Sequence, residues 1–96
     1  MPKLVGKSTR VVEVGGLSID ELAGNVASGE DTLSIARVIV SEPTAEPWLT
    51  LDYDEWICVL KGSVEMHSSD GSVLKVAAGE TCFVEKGERF RPVFPA

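Results

Sequence analysis

Apolar and polar residues alternate along most of this chain rather than recurring at the three-to-four spacing of a helix. Leu33, Ile35 and Ile39 occupy every-other positions, as do Val64 and Met66, and Leu74 and Val76. Gly, Pro, Ser and Asp break the pattern into short segments. This alternation predicts an all-β protein with strands near residues 10–14, 32–41, 48–51, 55–61, 63–67, 72–76, 81–85 and 89–94. Ser68-Ser69-Asp70-Gly71 predicts a hairpin tip, because Asp tolerates turn geometry and Gly accepts positive φ. The hairpin places Val64 and Met66 on one face with Leu74 and Val76. Ser18, with Glu21 three positions on, has the spacing of a capping box and predicts one short N-terminal helix running through Leu22.

Length and composition narrow the class. The 96 residues predict a single domain over 1–96, and 44% hydrophobic with 25% charged residues is ordinary globular composition. No apolar run approaches the roughly 18 residues of a membrane span. The first residues, Met1-Pro2-Lys3-Leu4-Val5-Gly6-Lys7, lack the long apolar stretch of a signal peptide, so a cytoplasmic location is expected. A net charge of −6 repels nucleic-acid phosphates, and Lys86, Arg89 and Arg91 are interleaved with Glu85 and Glu88. Neither nucleic acid nor membrane is an expected partner. Cys58 and Cys82 lack the close spacing of a zinc or redox pair and are expected to act as small hydrophobes.

Two spacings resemble the motifs of the cupin superfamily. Glu55, six residues and Gly62 match the E-x6-G half of the first cupin motif, and Gly79 with Gly87 match the glycine spacing of the second, with Glu85 in the proline place. The segment Pro47-Trp48-Leu49-Thr50-Leu51-Asp52-Tyr53-Asp54-Glu55 is similar to the cupin domain of ethanolamine-utilisation (EutQ-type) proteins. The resemblance implies a jelly-roll β-barrel whose core covers roughly residues 32–94, preceded by the N-terminal strand and helix over 8–31. In that frame the usual metal-binding histidines fall on Leu49 and Leu51, or on Trp48 and Thr50, and on Phe90; of the usual ligands only Glu55 remains. Leu49, Leu51, Glu55 and Phe90 then line the interior. Leucine and phenylalanine offer no lone pairs, so no metal and no other cofactor is expected.

The remaining polar residues define the candidate chemistry. Glu55 has apolar neighbours and an inward place, which predicts a raised pKa and either acid-base work or ligand recognition, with Tyr53 as a hydroxyl partner. The alternative is a structural glutamate held by backbone N–H groups. Asp52, Asp54 and Glu55, with Glu42 and Glu46 nearby, form a candidate hard-cation site; the alternative for Asp52 and Asp54 is a solvated bend. Arg37 interrupts an apolar face and is expected to pair with Glu55 or to point into the barrel mouth. Trp48 and Trp56 read as core or interface anchors, with Trp56 also placed among possible ligand contacts at the mouth. His67 reads as a surface residue. The function expected is a metal-independent small-molecule-binding or accessory cupin, with Glu55 and Tyr53 as the chemically active pair and Leu49, Leu51, Arg37, Phe90 and Trp56 as ligand contacts. The alternative is a small cupin enzyme, an isomerase, lyase or oxygenase, using an atypical metal site or Glu55 and Tyr53 as acid and base. A homodimer is expected, formed through the strand carrying Val11, Val12 and Val14.

Overall fold

The computed structural model describes residues 1–29 and 31–95. They form two compact units, residues 1–42 and 43–96. In the first unit, β1 (Thr9–Val14), β2 (Leu17–Ala23) and β3 (Ile35–Val40) make an antiparallel sheet in the order β1-β2-β3. Gly15 and Gly16 join β1 to β2 with φ of 33° and 84°, the two positive values that a two-residue hairpin of matching twist requires. A Cβ on Gly16 would also lie 2.1 Å from Glu42 Cγ.

The helix expected from Ser18 through Leu22 is not formed: both capping-box residues lie in β2, paired with β1 and β3. The Gly-Gly hairpin commits Leu17 to pair with Val14 and Val40, and cross-strand pairing overrides the local helix signal. Glu21 still caps a helix, but a later one. Its Oε2 accepts the backbone N–H groups of Val26 and Ala27, each at 3.1 Å, at the start of the four-residue α1 (Asn25–Ser28). Its Oε1 accepts the Ser34 hydroxyl at 3.4 Å. Arg10 and Asp20 pair across β1 and β2, and that hydrogen bond, helped by charge, lowers the Asp20 pKa.

The second unit contains two sheets. The larger has β4 (Thr44–Ala45), β10 (Arg89–Phe94), β7 (Ser63–Ser68) and β8 (Val73–Ala77) in that order, with β5 (Leu49–Thr50) also on β10; the smaller pairs β6 (Glu55–Cys58) with β9 (Thr81–Val84). No ladder among the described residues joins these two sheets into a closed ring. Their apolar faces meet instead. Val64, Met66, Val76 and Phe90 from the larger sheet and Cys82 and Val84 from the smaller form one buried cluster, with Leu49, Leu51, Ile57, Val59 and Phe94 packed on it.

Alternation places these residues inside: on β9, Cys82 and Val84 are buried while Thr81 and Phe83 are exposed. The β7–β8 hairpin turns at Ser69–Gly71 as expected, and Asp70 accepts both the backbone N–H and the hydroxyl of Ser72. Leu74 pairs with Met66 but is 57% exposed, so it adds little to the core.

Candidate functional site

Glu55 opens β6, in register with the buried Val84 and on the same strand face as Ile57, which packs on the core. The carboxyl is half-buried, and among the described residues no donor hydrogen-bonds to it. Burial therefore raises its pKa, because the charged form loses water without gaining a partner. The direction agrees with the sequence expectation, while the backbone N–H groups of the structural alternative are not in place.

A second carboxyl lies close enough to feel Glu55. Glu46 follows β4, and its backbone is fixed on β10 by its own N–H to the Pro92 carbonyl (3.0 Å) and by Arg91 Nε donating to its carbonyl (2.9 Å). Its side chain is half-buried, and its pKa is raised first by burial and then by the Glu55 charge. Tyr53 is 53% exposed, and its pKa is raised by partial burial and by Glu55, Asp52 and Glu46. It therefore stays protonated as a hydrogen-bond donor and makes a poor base. No hydrogen bond joins Tyr53 to Glu55 among the described residues. Buried Cys82, also near Glu55, has its thiol pushed up by burial and is held in the unreactive form.

The other expected site residues divide into three groups. Phe90, 4% exposed, sits in the core, and half-buried Leu49 and Leu51 pack on the same cluster. Trp56 lies on the opposite face of β6 from Glu55, 71% exposed, so it does not share the inner face. Arg37 is exposed on β3 in the first unit, opposite Asp20, whose pKa its charge helps to lower. Among the described residues, open grooves include one of about 320 Å³ between the β1–β2 turn and Ile39 and Ser41, and one of about 120 Å³ beside Leu74, Glu80 and Cys82. Glu55, Tyr53, Leu49, Leu51 and Phe90 line neither. Asp54 accepts the Lys86 backbone N–H (2.9 Å), so it closes a turn instead of joining Glu55.

Among the described residues, no group of three or more His, Cys, Asp or Glu side chains is placed to hold a metal ion. Leu49, Leu51 and Phe90, where the resemblance puts the usual ligands, are core or core-packed residues whose side chains carry no lone pairs. His67 is half-buried on the face of β7 opposite Met66, with Nε2 3.0 Å from Glu65 Oε1. The sequence groups Glu46 with Glu55 among nearby acids but does not show that Glu46, and not Asp54, is the carboxyl that feels the Glu55 charge while half-buried. That placement depends on β4 pairing with β10, and the only local hint is a glutamate before Pro47.

No family model matches the chain. It is 30% identical over 74 residues to a protein of Myxococcus xanthus (strain DK1622) named endoribonuclease YbeY; the match covers 77% of this chain and 25% of that protein. The chain thus spans about a quarter of that relative's length. Among solved structures it is similar to a cupin domain from Bordetella pertussis Tohama I, with a TM-score of 0.52 at 10% identity, covering all of this chain and 85% of that one. With two β-sheets packed on one apolar cluster and this structural likeness, the chain has a cupin-like fold.

Proposed function

We propose that this protein is a metal-independent, small-molecule-binding or accessory module of the EutQ-like cupin type, acting in the cytoplasm, with Glu55 and Glu46 as the polar end of its site. The observation that carries this reading is the unpaired, half-buried Glu55 carboxyl beside a second half-buried carboxyl. Such a pair keeps its proton to higher pH than an ordinary glutamate. It can donate to a ligand carbonyl or accept from a ligand amine or hydroxyl. Tyr53 adds a donor at the exposed side, and Leu49 and Leu51 supply apolar contact.

The likeness to a quarter of an endoribonuclease supports an accessory role, because the net charge of −6 disfavours contact between this region and RNA. A small enzyme using Glu55 as acid and base is the second reading, favoured by the raised Glu55 pKa. Pairing into a homodimer through β1 belongs to the same proposal. Val11 and Val14 are 43% and 63% exposed there, although a bulge at Val11 interrupts the β1–β2 ladder.

Native mass spectrometry and elemental analysis of the purified protein test the proposal. A co-purifying organic molecule that is lost on Glu55→Gln, with no stoichiometric metal, is the expected result. Stoichiometric iron, manganese, nickel or zinc would overturn metal independence.

A further inference from the structure

The outer face of the β6–β9 pair carries a second chemistry. The alternation that turns Glu55 and Ile57 toward the core turns Trp56 outward, and on β9 it turns Phe83 outward. Trp56 is 71% and Phe83 44% exposed; they are register partners, with ring centroids 4.6 Å apart and planes tilted by 45°. Two large aromatics exposed side by side form a contiguous apolar patch, which scattered single surface hydrophobics do not. Asp54 and Glu85 extend the two strands one residue beyond the Glu55–Val84 pair. By the same alternation they fall on the aromatic face, and both are exposed. The Lys86 N–H engages Asp54 Oδ1, and Oδ2 has no partner among the described residues.

Aromatic rings flanked by carboxylates match one kind of group: a guanidinium or ammonium, attracted to the ring face and bonded by the carboxylates. The surrounding charge favours the same sign of partner, since residues 43–96 contain nine Asp and Glu against five Lys and Arg. Among the described residues β6 pairs with β9 alone, so the two-stranded sheet offers open edges to an extended chain. A second copy of this face is a poor occupant, because at these positions it again offers the carboxylates Asp54 and Glu85 where a cation is called for.

We propose that the Trp56–Phe83 face is a docking surface for an extended, arginine- or lysine-bearing segment of another protein. The cation sits over Trp56 and bonds to Asp54 and Glu85.

The test uses full-length protein carrying Trp48→Phe, which leaves Trp56 as the single tryptophan. Its fluorescence is titrated with the peptide acetyl-Arg-Val-Arg-Val-Arg-Val-amide, and with the same peptide carrying Ser or Glu in place of Arg. The Arg peptide is expected to change the emission saturably and more weakly as salt rises, with the Ser and Glu peptides inert. Combining Asp54→Asn with Glu85→Gln is expected to weaken binding about tenfold. Trp56→Leu, checked for folding by circular dichroism and followed by calorimetry, is expected to abolish it. An equal response to the Ser peptide, or unchanged affinity in the Asp54/Glu85 double variant, would overturn the proposal. Concentration-dependent self-association that disappears in Trp56→Leu would also overturn it, by showing that a second copy covers the face.

Discussion

Truncating Phe90 to alanine distinguishes a residue that lines a ligand cavity from one that fills the core. The ring lies on β10 between Leu49 of β5 and Ser68 of β7, 4% exposed, in one cluster with Val64, Met66, Val76, Cys82 and Val84. A buried aromatic of this size removes roughly 150–250 Å² from water, which at about 25 cal/mol per Å² is roughly 4–6 kcal/mol. Allowing for the retained Cβ and the void left behind, Phe90→Ala is expected to cost about 3–5 kcal/mol. A natural domain is stable by only about 5–15 kcal/mol, so the variant keeps a fraction of the original margin. Urea titration followed by circular dichroism and tryptophan fluorescence measures the loss, with Phe90→Leu expected to lose about 1–2 kcal/mol. A loss below about 1 kcal/mol for Phe90→Ala, at unchanged urea dependence, would refute the core assignment and return Phe90 to the wall of a solvent-filled cavity.

Three further outcomes follow from the geometry. Glu21→Ala leaves the Val26 and Ala27 N–H groups without their acceptor and is expected to cost about 1–3 kcal/mol, with faster amide exchange at those two residues. Glu55 has a folded pKa above its unfolded value, so it binds its proton more tightly when folded. Its contribution is favourable below the unfolded pKa, is lost as pH rises through the folded one, and Glu55→Gln is expected to raise the melting temperature at pH 7 but not at pH 4. Sedimentation velocity at micromolar concentration is expected to show a dimer that Val14→Lys dissociates; a monomer in the unsubstituted protein would remove β1 as a pairing edge.

Much of the second unit is legible in the chain because its signals are local and period two. β7, β8, β9 and β10 fall within a residue or two of the alternating segments, and Asp70-Gly71 marks the hairpin between β7 and β8. The miss at β2 has a specific cause. Ser18 and Glu21 have helix-start spacing, but Gly15-Gly16 between Val14 and Leu17 is itself a hairpin signal, and long-range pairing on both sides of β2 prevails. β4 is two residues long and carries no periodic signal at all. At the site, the raised pKa of Glu55 follows from apolar neighbours together with the inward place that the resemblance to the cupin motif implies. Glu46 is legible only as one of several nearby acids, because its approach to Glu55 depends on tertiary pairing of β4 with β10. Trp56 falls on the outer face by parity alone, a placement that the period of the strand already contains.

Carboxyl-carbon NMR titration of Glu55 and Glu46 bears most directly on the claim that an unpaired acidic pair forms the polar end of the site. Both midpoints are expected above the ordinary glutamate range, and Glu55→Gln is expected to move the Glu46 midpoint back toward it by removing a neighbouring negative charge. Ordinary midpoints for both groups, or a Glu46 midpoint indifferent to Glu55→Gln, would contradict it.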